Sequence, residues 1–154
     1  MDIEKLCSDM NDWLVNVRRD LHKTPELGLK EFETKEKIKK YLDEIRISYT
    51  EYKNTTAIVA QINGGFEKTV ALRADIDALP IDEDLNLDYK SQNPGVMHAC
   101  GHDGHTSMLL GAGKVLNDMK DEINGTVKLF FQPAEEVAQG AKAMIADGAL
   151  EGVD

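Results

Sequence analysis

The chain has 154 residues, 42% apolar and 30% charged, the profile of a globular domain able to bury a core without disulfide or metal staples. Acidic residues outnumber basic ones, 28 to 18, and the formal net charge of −10 argues against nucleic acid or an anionic membrane surface as partner, since both need a cationic footprint. No apolar run is long enough to span a bilayer, Met1-Asp2-Ile3-Glu4-Lys5 lacks a signal-peptide core, and Cys7 and Cys100 cannot make a disulfide framework. A cytoplasmic location is therefore expected.

Residues 3 to 21 predict one amphipathic helix, with Ile3, Leu6, Met10, Trp13, Leu14, Val17 and Leu21 on a single face and Cys7 beside that stripe in the core. A second helix is expected from about Lys30 to Glu44, turning Phe32, Ile38, Tyr41 and Leu42 inward and its lysines and glutamates to solvent. Ile45 to Lys53, Thr56 to Ile62 and Thr69 to Ala74 read as strands, and Asn63-Gly64-Gly65 predicts a hairpin between the last two. Asp75 to His105 is polar and irregular, and so long a loop inside a compact domain tends to be functional. Thr106 to Met119 returns to helical spacing, Thr126 to Gln132 is a strand, and Val137 to Asp147 is a helix ended by Gly148. Alternating helices and strands imply an α/β layered domain with about four strands and an exposed sheet edge. The chain reads as the N-terminal piece of a longer protein, since it reaches Val153-Asp154 where another strand would begin.

Three segments could carry chemistry. His98-Ala99-Cys100-Gly101-His102-Asp103-Gly104-His105 crowds thiol, imidazole and carboxylate onto irregular backbone before a helix, a borderline-soft donor set that suits zinc, cobalt, nickel or manganese. Gln132-Pro133-Ala134-Glu135-Glu136 follows a strand, where ligand groups of open α/β sheets gather, and its paired acids can divide metal binding from proton transfer. Taken alone, those acids read better as partners of a helix N-terminus. Arg73-Ala74-Asp75-Ile76-Asp77-Ala78-Leu79-Pro80 also follows a strand, with Asp75 and Asp77 on one side, and an aspartate often orients a metal-bound imidazole. Together they nominate Cys100, His102, Glu136, Asp77 and Glu135. Asp82-Glu83-Asp84 reads as a solvated charge run and His22 as structural.

These blocks, with Arg18-Arg19-Asp20-Leu21-His22 and Pro25-Glu26-Leu27, make the chain resemble the amidohydrolase branch of the metal-dependent aminoacylase and carboxypeptidase family. That branch includes hippurate hydrolases, N-acetyl-diaminopimelate deacetylases and indole-acetyl-amino-acid hydrolases. The resemblance implies the N-terminal portion of a three-layer α/β/α zinc-exopeptidase-like catalytic domain over residues 1–154, with the lid and dimerisation domain and the C-terminal catalytic part elsewhere. It implies two divalent metal ions (Zn, Mn, Co or Ni), with Cys100, His102 and Glu136 as ligands, Glu135 as general base and Asp77 as orienter of an imidazole. Two further histidine ligands have no counterpart here. The implied substrate is a small N-acyl amino acid, and the implied full-length protein is a homodimer. One departure is Asn54-Thr55-Thr56-Ala57, where relatives more often carry a glycine. Rival readings are a metal-binding fragment without turnover, a cysteine hydrolase with Cys100 as nucleophile and His102 or His105 as base, and a structural interaction domain.

Overall fold

The structure, a computed structural model, describes residues 2–63 and 68–154. The first predicted helix is two: α1 (Ile3–Asp9) and α2 (Asn11–Lys23), broken at Met10, which ends one and starts the other. Ser8, Asp9 and Asn11 flank the break, and such side chains compete with the helix for backbone hydrogen bonds. Asp2 caps α1 by accepting from the Lys5 amide at 3.1 Å. Cys7, expected in the core, is exposed on α1.

Helix α3 (Phe32–Glu44) buries Thr34, Ile38, Tyr41 and Leu42. Phe32, expected inside, is 65% exposed. The inward stripe runs at steps of three and four, and extrapolated backward from Ile38 and Thr34 it falls on Glu31, which is buried instead.

Strands β1 (Ser48–Glu51), β2 (Ile58–Asn63), β3 (Thr69–Asp75) and β4 (Thr126–Gln132) form one sheet in the order β1-β2-β4-β3. The expected hairpin between β2 and β3 does not form, because β4 lies between them. Gly64 and Gly65, the turn of that hairpin, lie outside the described residues. β4 pairs antiparallel with β2 and parallel with β3, in register from Thr69↔Thr126 to Asp75↔Gln132. The parallel pair needs a crossover, which α4 (His102–Asp118) supplies.

Alternation along β4 sorts the two faces. Val127, Leu129 and Phe131 meet Val17 and Leu21 of α2, Ile38 and Leu42 of α3, and Leu109 and Leu110 of α4 in the larger core. Phe130 points the other way, to Val59, Met144 and Ala149 around α5 (Gly140–Ala146). The architecture is thus the expected three layers, helices on both faces of the sheet. Fully buried side chains such as Leu129 and Phe131 each contribute about 1.5–3 kcal/mol, so the larger core anchors β4 and the turn that follows it. β1 and β3 are the two edges, and Val70 and Leu72 of β3 stand half exposed. Among the described residues no helix is long and apolar enough to cross a membrane.

Candidate metal centre

The parallel register brings the ends of β3 and β4 level, so the loops after Asp75 and Gln132 leave the sheet side by side. Ile76 extends the ladder by donating to the Gln132 carbonyl at 3.0 Å. The long segment from Ile76 to Gly101 is irregular but tied down. Ala78 donates to the Glu26 carbonyl at 2.8 Å, and Leu79 and Met97 exchange two backbone bonds of 3.0 Å. Gly101, at φ +81, then turns the chain sharply into α4. That turn sets Cys100 and His102 on either side of one point.

Cys100, His102 and Glu136 each present a ligand atom there, all within 4.8 Å of one another. The Nδ1 of His102 lies 2.9 Å from the Asp77 carbonyl and 3.3 Å from Asp77 Oδ1. With Nδ1 donating to Asp77, Nε2 keeps its lone pair and faces Glu136 Oε1 at 3.8 Å and Glu135 Oε2 at 3.9 Å. The other Asp77 oxygen accepts from the Glu136 amide at 3.0 Å. One buried aspartate therefore ties the imidazole and the glutamate segment together. Burial alone would raise the Asp77 carboxyl, but His102 and the Glu136 and Glu135 amides outweigh it and hold it below the ordinary value. Asp77 in turn raises His102, against the opposing effect of burial.

The donor set fits a divalent cation. Glu136 Oε1 is buried without a hydrogen-bond partner, and thiol, imidazole and carboxylate are zinc, cobalt, nickel or manganese ligands. The Cys100 thiol is held above its ordinary value, first by a hydrogen bond to Glu136, then by burial and by the charges of Glu136, Glu135 and Asp75. An activated cysteine nucleophile needs the reverse, a depressed thiol beside a base. A bound cation would replace that thiol proton.

A second cluster shares His102: Asp75, His102 and His105 also bring ligand atoms within 4.8 Å. Its members are differently held. Asp75 pairs with Arg73, and His105 is about half exposed, 4.0 Å from Asp75.

The surroundings of the site hold features that the sequence reading did not anticipate. Glu83, expected in solvent, is buried and accepts from the Ser91 amide at 2.7 Å. Its other oxygen lies 3.1 Å from Nε2 of His22, whose Nδ1 lies 2.7 Å from Asp103. Arg18 also donates to Asp103 at 2.9 Å, so α2 grips the first turn of α4 beside His102. His98 is buried close by and pushed down to about 4, mainly by burial. The expected helix from Val137 starts only at Gly140, after a turn in which Ala134 and Ala138 take positive φ.

The sequence pattern of Peptidase family M20/M25/M40 matches residues 71–154. The chain belongs to this family. Residues 71–154 include all five nominated positions, Asp77, Cys100, His102, Glu135 and Glu136. The chain is 49% identical over 145 residues to IAA-amino acid hydrolase ILR1-like 5 of Arabidopsis thaliana, covering 94% of this chain and 33% of that protein. It is 46% identical over 142 residues to N-acetylcysteine deacetylase of Bacillus subtilis, covering 91% and 37%. The crystal structure of the Bacillus subtilis YXEP protein, a dinuclear metal binding peptidase of the M20 family, superposes with a TM-score of 0.89 at 43% identity over 98% of this chain and 42% of that one. This M20-family chain thus spans between a third and somewhat over two fifths of those relatives' lengths.

Proposed function

We propose that this chain carries part of the metal centre of an amidohydrolase that cleaves the amide bond of N-acyl amino acids, hippurate-like or N-acetylated. The observation that most supports this reading is the convergence of Cys100, His102 and Glu136 on one point, with Glu135 beside it and Asp77 behind. The relatives' names, an IAA-amino acid hydrolase and an N-acetylcysteine deacetylase, are consistent with an acylated amino acid as substrate.

Two divalent ions, when bound, would supply an acidified water and a polarised scissile carbonyl. The chain's own residues do the rest. Cys100, His102 and Glu136 hold ligand atoms toward the ions. Asp77 fixes the His102 tautomer and, through the Glu136 amide, the approach of the glutamate. Glu135, whose side chain is 42% exposed, can reach a substrate; it takes a proton from the attacking water and returns it to the leaving amine nitrogen.

In this reading the remaining ligands and the lid and dimerisation domain belong to a protein as long as its relatives, cytoplasmic and homodimeric, and the 154-residue chain alone is catalytically silent. The test is to assay this chain and such a longer protein, both metal-loaded, against hippurate and N-acetyl amino acids. In the longer protein, Glu135→Gln should keep metal and lose about a hundred- to ten-thousand-fold in rate, whereas Glu136→Gln should lose metal. Equal metal retention in both variants would overturn the division of roles. Full turnover by the short chain would overturn its silence.

A further inference from the structure

The turn that carries Glu135 and Glu136 is held from below by a residue far away in sequence. Glu31 precedes α3 and is fully buried, 0% exposed. Its Oε1 accepts from the Ala134 amide at 2.8 Å, and its Oε2 accepts from the Thr56 hydroxyl at 2.6 Å. Ala134 is itself fully buried and has φ +50, an unfavourable conformation for a residue with a Cβ that must be imposed by its surroundings. The surroundings are close-packed: a Cβ on Gly28 would lie 3.1 Å from the Ala134 Cα, tighter than an ordinary contact, so a side chain there would press the two backbones apart by a few tenths of an ångström. The Ala134 carbonyl then accepts from the Gln139 and Gly140 amides at 3.1 and 3.2 Å, closing the turn around Glu135 and Glu136.

Burying a carboxylate costs several kcal/mol unless a cation or good donors compensate. Among the described residues no cation lies within ion-pair distance of Glu31; its partners are a hydroxyl and backbone amides. A hydrophobic side chain of the same volume would fill the space at lower cost, but it could not grip an amide. The carboxylate is therefore explained by geometry better than by stability.

We propose that Glu31 is a positioning residue of the metal centre, which holds the Pro133–Glu136 turn in the conformation that aims Glu136 at Cys100 and His102. The proposal rests on the metal reading above for its purpose, but its mechanical part does not. Asp77 grips the same turn two residues on, through the Glu136 amide, so two buried carboxylates hold it at two points.

The experiment has a metal-free arm and a metal arm, both on this chain. Amide hydrogen exchange, read residue by residue by NMR, should speed up at Ala134 by tenfold or more in Glu31→Ala and stay near wild type at Leu129 and Ile58. Cobalt(II) affinity should fall about tenfold in the same variant, the range typical for groups that orient metal ligands, and recover most of the loss in Glu31→Gln, whose side-chain oxygen can still accept from Ala134. Val127→Ala, a core truncation of β4 remote from the turn, supplies the control: it lowers stability but should leave both readings unchanged. If Glu31→Ala does not fold, Thr56→Val, which removes one bond to the carboxylate, should give a smaller acceleration at Ala134. Unchanged protection of Ala134 overturns the proposal, as does a cobalt loss no larger in Glu31→Ala than in Val127→Ala. Failure of the wild-type chain to take up cobalt would instead overturn the metal reading, and the exchange at Ala134 would still decide whether Glu31 holds the turn.

Discussion

Two clusters of ligand atoms compete for one imidazole. Cys100 and Glu136 meet His102 on one side, Asp75 and His105 on the other, and both groups satisfy the same 4.8 Å spacing. What separates them is how each side chain is held. In the first cluster the Glu136 amide is fixed by Asp77, the aspartate that also backs the shared His102, and Glu136 keeps a buried oxygen unspent. In the second, Asp75 is already committed to Arg73, and His105 stands half in solvent, 4.0 Å from Asp75. Both clusters meet the same spacing limit, one with a thiol, an imidazole and a carboxylate, the other with two imidazoles and a carboxylate; they differ in pre-organisation. The comparison teaches that a metal site is recognised from the atoms behind its ligands.

Substitutions can break this comparison, and their effects should be ordered. His102→Ala belongs to both clusters and should cost most, abolishing measurable cobalt uptake by equilibrium dialysis. Asp77→Asn removes the backing but no ligand, and should weaken uptake about 10- to 100-fold. Asp75→Asn and His105→Ala should change affinity less than threefold; a loss as large as that of Asp77→Asn would exchange the ranking of the two clusters. The smallest effect concerns the clamp on the Glu135–Glu136 turn. Burial raises Glu31 above its ordinary 4.5, in spite of the hydrogen bonds from Thr56 and backbone amides. A raised acid contributes stability below 4.5 and loses it as pH rises through its folded value. Unfolding free energies of wild type and Glu31→Gln should therefore shift in favour of the variant on going from pH 4 to pH 7, and a shift in the opposite sense would mean that Glu31 is not held in its raised state.

The sequence makes the ligand atoms of both clusters legible and hides most of the residues that hold them. Cys100, His102, Glu135 and Glu136 sit in short blocks whose residue types are themselves the chemistry, and it is the combination of these blocks with the Asp75–Asp77 segment that nominates them. The layered α/β architecture followed from alternating periodicities, and β4 was read to its residue limits because Val127, Leu129 and Phe131 alternate cleanly. The pairing of β2 with β3 was misread because a glycine turn is a local signal, whereas the insertion of β4 between them is decided by the crossover through α4. Glu83 and Glu31 were missed for a different reason. A buried carboxylate looks like a surface one until its partners, His22 and Ser91 for the first, Thr56 and Ala134 for the second, arrive from other segments. For Glu31 one clue was present: the inward stripe of α3, carried one step back from Thr34, lands on it and passes over Phe32.

The proposed metal centre of Cys100, His102 and Glu136 is tested most directly by cobalt(II) titration followed in the near ultraviolet, because only a thiolate ligand gives an intense charge-transfer band there. Wild type and His105→Ala should develop the band at similar cobalt concentrations, Glu136→Gln should need about tenfold more metal or higher, and Cys100→Ser should show no band. A band that survives in Cys100→Ser, or one that vanishes in His105→Ala while Glu136→Gln retains it, would contradict the account.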